Sequence, residues 1–441
     1  MFQRMTSLGR EIRRARKVGR KPQAPGTPQD LPDPRDLLEG RLVIPVAEVN
    51  AEEHERASHH ERGLYLARQD RWDELGEALR RADQARMMTS GGMAVADLLA
   101  YGARADAMAT ILPGDGQTAP ATGGLAQLEE ELEENAGDYG VALTVALAHV
   151  DAGWAWRGPG WTHDIPAEKF ARFRAHFDRA GEILDRFDPF ELNSAALASA
   201  RCALLAGIDD PRDRVADDFE DLIDLDPANP RHMRSLGYHM LPRWFGSYET
   251  LEAQACHTAR RTADIWGEGG YAWTWFDALA IDPQALAQLD VEHFLDGMTD
   301  ILITRSDQYT ANLLAAFTGA LMAAGATPDL PPAAEGARAK LHEAFGWVLR
   351  HHLGEVHPLV WADAMNRFRT GPGLAPPRSG ATERSGHARA LQTIAREFGT
   401  EAGPDRALSV SPRGIGIEPA APAPRRPVRV MRPRRGTQAA H

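Results

Sequence analysis

The stretch His239-Met240-Leu241-Pro242-Arg243-Trp244-Phe245-Gly246-Ser247-Tyr248-Glu249, continued by Thr250-Leu251-Glu252-Ala253-Gln254-Ala255, reads as the end of one helix, a tight bend and the start of the next. Pro242 stops the first helix, because it lacks a backbone N–H and its ring clashes with the preceding turn. Gly246 offers the positive φ of a helix-ending turn. Ser247 caps the second helix, and Glu249 falls in its first turn, where the helix dipole favours an acid. Leu236, Met240 and Phe245 are expected to face the hairpin interface. Only Arg243 is left without a structural task. It can pair with an acid, stack on Trp244 or face a ligand.

Weaker versions of this joint recur. Gly63-Leu64-Tyr65-Leu66-Ala67-Arg68-Gln69-Asp70-Arg71-Trp72-Asp73-Glu74-Leu75 continues to Leu79 and Ala82, with a small residue, a turn and an aromatic residue opening the next helix. Arg305-Ser306-Asp307-Gln308-Tyr309 leads in the same way into Leu313, Leu314 and Phe317. Phe187-Asp188-Pro189, Leu225-Asp226-Pro227 and Ile281-Asp282-Pro283 repeat a second signal, in which Asp caps a helix and Pro takes its first position. Apolar spacings of three and four persist between the breaks, so the pattern is helical from about residue 50 to 400. Ala and Leu dominate the apolar residues, while Val, Ile and Tyr are sparse, which also favours helix over sheet.

The arrangement resembles tetratricopeptide-type repeats, whose period is about 34 residues. Gly63, Leu66, Trp72, Leu75, Leu79 and Ala82 match that spacing, and Gly246, Tyr248, Leu251 and Ala255 match its second half. The intervals are irregular, so the resemblance implies divergent hairpins. The stretch Pro242 to Ser247 also resembles a Pro-Arg-Trp-x-Gly-Ser motif of uncharacterised bacterial helical-repeat proteins, over residues 185–280. That resemblance brings no catalytic residues to carry over.

The expected fold is all-α, a right-handed array of antiparallel helix hairpins forming a tetratricopeptide-like α-solenoid over 46–370. Each hairpin buries its apolar face on its neighbour. Residues 1–45 read as a basic, Pro-rich tail and linker. Residues 371–388 read as a loop, followed by a short helix from Leu391 to Phe398. Residues 401–441 read as a Pro/Arg-rich disordered tail, too polar to order itself.

Charge is distributed unevenly. The chain carries a net −12, yet residues 1–25 hold eight basic residues against Glu11 alone, and 419–441 hold six arginines and no acid. The acidic body argues against a nucleic-acid-binding core, which needs cations facing the phosphates. The basic ends allow contact with nucleic acid or with an anionic membrane. For the latter, Phe2, Met5, Leu8 and Ile12 lie at helical spacing among arginines. No run of about 18 apolar residues is present, so no transmembrane segment is expected. Two cysteines, Cys202 and Cys256, form no disulfide or metal-binding pattern, and a cytoplasmic location follows.

Candidate chemistry is sparse. Ten Trp beside seven Tyr is a high proportion. Trp154, Trp156 and Trp161 crowd around Arg157-Gly158-Pro159-Gly160. Trp266, Trp273, Trp275 and Phe276 surround Gly267-Glu268-Gly269-Gly270, which lacks the Lys-Ser or Lys-Thr of a phosphate loop. Trp serves either a binding face or the gaps between hairpins. His351, His352 and His357 lie near Glu355, and His163 lies beside Asp164. Neither set has the spacing of a zinc site, so no metal or cofactor is expected. The acidic runs Glu129–Glu134 and Asp217–Asp221 read as solvated helix faces.

The functional expectation is a non-enzymatic scaffold that holds a protein or peptide partner through Arg243, Trp244, Tyr248, Trp273 and Trp275. The alternative is an enzyme with an inter-helix pocket around 239–276, with Arg243 as anion clamp and Asp277 or Glu268 as base.

Overall fold

A computed structural model describes residues 44–47, 51–111, 123–158, 165–365, 380–399, 401, 406–411 and 414–419. These are mostly helical. The first helices are α1 (Ala51–Arg68), α2 (Trp72–Gln84), α3 (Val95–Ile111), α4 (Gly123–Glu134), α5 (Tyr139–Arg157) and α6 (Ala167–Leu184). The middle of the chain forms α7 (Ala195–Leu204), α8 (Arg212–Leu225), α9 (Pro230–His239), α10 (Tyr248–Arg261), the short α11 (Ala263–Trp266) and α12 (Gly269–Ile281). A 3-10 turn (Pro283–Ala287) leads to α13 (Val291–Thr304) and α14 (Gln308–Ala316), which runs on into a π-helical turn (Phe317–Leu321). Then come α15 (Pro332–Glu343), α16 (Phe345–His351), α17 (Pro358–Met365), α18 (Gly380–Phe398) and a hairpin of β1 (Arg406–Ser411) and β2 (Gly414–Pro419).

The helices follow from local chemistry. In α2 the buried residues Trp72, Leu75, Gly76, Leu79 and Ala82 fall at spacings of three and four and form one apolar stripe. Helix α5 is buried from Tyr139 through Val150 except at Leu147, and is started by Asp138, whose carboxylate accepts from the Gly140 N–H at 2.8 Å. Helix α12 is enclosed over most of its surface, with Tyr271, Trp275, Ala278 and Leu279 fully buried. It crosses α9 so closely that a Cβ on Gly237 would lie 1.7 Å from the Thr274 carbonyl oxygen.

Packing runs mostly between helices one to three elements apart in the chain: α1 on α3, α3 on α5, α5 on α6 and α7, α9 on α12, α12 on α13. The apolar residues form two cores. The first gathers Leu66 to Ala200, and the second Ala195 to Ile415 together with Ile44. Helix α7 is the seam. It gives Ala196, Leu197 and Ala200 to the first core and Ala195, Ala198 and Cys202 to the second.

Three sequence expectations change. The Gly- and Arg-rich stretch from 380 is part of the nineteen-residue helix α18, so residues 380–388 of the expected loop join the helix expected from Leu391 in one element, while 371–379 lie outside the described residues. Its Gly386 meets α17 at backbone distance, where a Cβ would lie 1.8 Å from the Pro358 carbonyl, and Ala390, Ile394 and Phe398 supply the buried stripe. Part of the expected disordered tail pairs as an antiparallel hairpin, Arg406 opposite Pro419 and Ser411 opposite Gly414. Leu408 and Ile415 bury themselves in the second core, because alternating apolar residues suit a strand laid on a helix surface. The ordered body also starts before residue 46. Ile44 is in the core, and Val46 forms a parallel bridge to Val356, with the Ala47 N–H donating to the Val356 carbonyl at 3.0 Å.

The Asp-Pro signals divide. Asp282 caps the 3-10 turn with Pro283 at its start. Asp188 instead folds a turn, accepting from the N–H groups of Phe190 and Glu191, and Ser194 caps the next helix. Asp226 pairs with His232, and the cap of α9 is Asn229. No helix among the described residues is long and apolar enough to cross a membrane.

Candidate functional site

The bend between α9 and α10 forms largely as its residues dictate. Ser247 accepts from the Thr250 N–H, and the Thr250 hydroxyl accepts in return from the Ser247 N–H at 2.8 Å, which closes a capping box. Leu236, Leu241 and Met240 are buried and Phe245 is half-buried. Gly246 does not take the positive φ expected of it. Glycine is required there because a Cβ would lie 2.3 Å from the Met240 carbonyl oxygen. Trp244 folds back toward Tyr238, ring centroids 5.5 Å apart, and Phe245 lies parallel to His239 at 6.0 Å. Arg243 is exposed and lies 5.8 Å over the Trp244 ring. Tyr248 donates to Asp282 at 2.7 Å, tying the start of α10 to the 3-10 turn. Burial and that carboxylate push its hydroxyl up to about 12.

The other sequence candidates separate from this surface. Trp273 and Trp275 are 2% and 0% exposed, so they fill the second core and cannot meet a partner at the surface. The Trp275 indole N–H donates to Glu252, which also accepts from Tyr271 at 2.7 Å. Asp277 is held by Arg234 at 2.7 Å. Glu268 is exposed and pairs with His293 at 2.7 Å, and His293 stacks on Tyr271. Arg243 and Glu268 are thus both surface groups and do not close a pocket. Glu355 pairs with His357 at 2.9 Å. His352 instead meets Trp347, because α16 ends at His351 before Gly354. Among the described residues no group of three or more metal-ligating side chains gathers. Trp154 and Trp156 pack with Phe173 and Arg172. Trp161, His163 and Asp164 lie outside the described residues, as do residues 1–21 and 425–435.

A second cluster sits at the seam, and the motifs did not reveal it. Asp83, 5% exposed, accepts from the Ser194 hydroxyl, the Ala196 N–H at 3.0 Å and the Tyr139 hydroxyl at 3.2 Å. Burial pushes its carboxyl up, and these donors and Arg86 pull it back. Arg86, in the left-handed region at φ 49°, donates to the Leu225 and Asn193 carbonyls at 3.0 Å and to the Asn193 side chain at 2.7 Å. Arg305 reaches from the far side to the Ser90 carbonyl at 2.7 Å. Asp97 and His232 line a small crevice within this frame. Burial pushes the Asp97 carboxyl up, against the opposing charges of His232, Arg104 and Arg231. Burial also raises the Tyr309 hydroxyl, against Arg231, Arg234 and Arg56. One signal for this cluster was available in the sequence: Asp83 continues the apolar stripe of α2, seven residues after Gly76 and four after Leu79.

A third group joins α5 to α6. The Nδ1 atoms of His149 and His176 are 3.1 Å apart, so one donates to the other, and His149 Nε2 meets Glu129 at 2.8 Å. Burial and the His149 charge bring His176 down to about 4, and burial lowers His149. The folded state therefore refuses protons that the unfolded chain accepts below the ordinary histidine value. Stability contributed by these groups is present above that value and is lost as pH falls toward 4. Between pH 7 and 5 this is expected to cost about 1–2 kcal/mol for His176. Thermal melts across that range check it, with His176→Gln expected to flatten the decline.

Compared with protein-family models, curated proteins and solved structures, the chain matches none.

Proposed function

We propose that the chain is a non-enzymatic, tetratricopeptide-like helical-repeat scaffold that holds a protein or peptide partner at the α9–α10 bend. The observation that carries this reading is the Arg243–Trp244 pair. A guanidinium over an indole, standing on a bend that internal packing and a capping box already hold, is the composition of an interface anchor. Tyr248 flanks it, whereas Trp273 and Trp275 lie in the core and take no part in it. The repeat reading draws support from helix neighbours that pack in chain order and from Gly63, whose position against the Leu99 carbonyl brings α1 onto α3. The free cysteines agree with a cytoplasmic site of action. Contact with nucleic acid or an anionic membrane through the basic ends is a separate proposal.

The alternative, an enzyme pocket around 239–276, would need Arg243 and a base to share an enclosed space. The exposure of Arg243 and Glu268 leaves it without that feature.

Affinity capture from lysate tests the leading reading. The wild-type chain is expected to retain a discrete partner that Arg243→Ala/Trp244→Ala loses and Arg212→Ala, an exposed control in α8, keeps. Equal retention by all three would remove the reading's support.

A further inference from the structure

The two Nδ1 atoms of His149 and His176 lie 3.1 Å apart, and their ring centroids 5.3 Å apart. That centroid distance is close to the longest that the nitrogen contact permits, so the two nitrogens point almost straight at each other. The opposite edge of His149 is fixed. Its Nε2 meets Glu129 at 2.8 Å, and Arg179 grips both oxygens of that carboxylate at 2.8 and 2.7 Å. A carboxylate accepts, so Nε2 carries the proton and the His149 Nδ1 is left with a lone pair. Metal-binding histidines are held in this way, with the second ring N–H donated to a carboxylate. His149 is buried and His176 half-buried, so solvent reaches the pair from the α6 side.

Coordination number decides which ion suits the pair. Zinc takes at least three protein ligands, and no third His, Cys, Asp or Glu joins these two among the described residues. A monovalent d10 ion needs only two opposed imidazoles in a line, and imidazole is a copper ligand. Such a line spans about 4 Å, twice a metal–imidazole bond, so the rings must part by about 1 Å. The half-buried His176 has room to move. A single positive charge is also easier to add than a double one beside Arg179, which Glu129 and Glu182 already share.

We propose that His149 and His176 bind a cuprous ion between their Nδ1 atoms, with Glu129 as the positioning carboxylate. The ion displaces the Nδ1 proton of His176, and that ring takes up a proton from water at Nε2, so both rings stay neutral and no net proton is released. Burial lowers both histidines, so protons do not compete with the metal near neutral pH. The site shares no residue with the Arg243–Trp244 surface, and either can fail without the other.

Anaerobic competition of the full chain against the chelator bicinchoninate, with reductant present, tests this. Wild type is expected to hold one equivalent of Cu(I) more than His176→Gln or His149→Gln. The half-exposed thiol Cys256 is present in all three and cancels from the comparison. Ag(I), which shares the linear geometry, should shift the Nδ1 resonances of His149 and His176 together in nitrogen NMR, a readout that stands if the core substitution His149→Gln fails to fold. Zn(II) should bind these rings roughly tenfold or more weakly than Cu(I). Glu129→Gln should weaken Cu(I) by about 10–100-fold while keeping the extra equivalent; an unchanged affinity there overturns the positioning role. The proposal is overturned if wild type and both histidine variants hold the same number of equivalents, if Ag(I) leaves both Nδ1 resonances in place, or if Zn(II) matches Cu(I).

Discussion

Gly237→Ala is expected to destabilise the protein by about 3 kcal/mol, even though alanine is the better helix former by about 1 kcal/mol. The added methyl would sit 1.7 Å from the Thr274 carbonyl oxygen, which belongs to the backbone of α12 and cannot swing aside. Helices α9 and α12 must separate, and α12 carries Trp273, Trp275 and Phe276 at the centre of the second core. Gly336→Ala in α15 is the matched control. Nothing lies within 4 Å of that Cβ, so only the propensity gain remains and a stabilisation of about 0.5–1 kcal/mol is expected. Urea denaturation of both variants reads the difference. A neutral Gly237→Ala would mean that α9 and α12 are not in backbone contact.

Asp83→Ala is expected to cost about 3–5 kcal/mol, the range for removing one partner of a buried charged network. The substitution leaves the Ser194 and Tyr139 hydroxyls and the Ala196 N–H without their acceptor, and it removes the carboxylate 3.7 Å from Arg86. Because burial already raises this carboxyl, the ionised form carries a desolvation cost. Asp83→Asn sheds that cost and keeps one acceptor, so it is expected to lose less than half as much. The damage should concentrate where the cores join. Hydrogen exchange is expected to rise at the start of α7 and at the end of α8, which Arg86 ties to the turn after α2. Uniform loosening across both cores would argue that the seam is not a distinct unit.

The helical class was legible because its signals are local. Ser247, Pro242 and the stripe Trp72–Leu75–Leu79–Ala82 depend on neighbours three or four residues away, and the structure uses them as read. Gly246 shows the limit of that reading. Its role was legible as a turn glycine, but the physical reason is a close approach to Met240, and distance across a bend is not written in spacing. Helix α18 was missed for a related reason. Gly386 looks like a breaker in isolation, yet it is the point at which two backbones touch.

The site was less legible than the fold. Trp273 and Trp275 have the composition of binding residues, but composition does not say which way a side chain points, and α12 is enclosed on nearly every face. The seam cluster was hidden because Asp83 and Ser194 are more than a hundred residues apart. Only the misplaced acid on an apolar stripe hinted at it.

The central claim is that the α9–α10 bend presents an interface through Arg243 and Trp244. Site-specific photo-crosslinking in cells tests it most directly, with the photoreactive residue placed at position 243 and, as a control on a separate surface, at the exposed Ile303. The expected result is one discrete protein adduct from position 243 that position 303 does not give. No adduct at 243, or the same set of adducts from both positions, would contradict the claim.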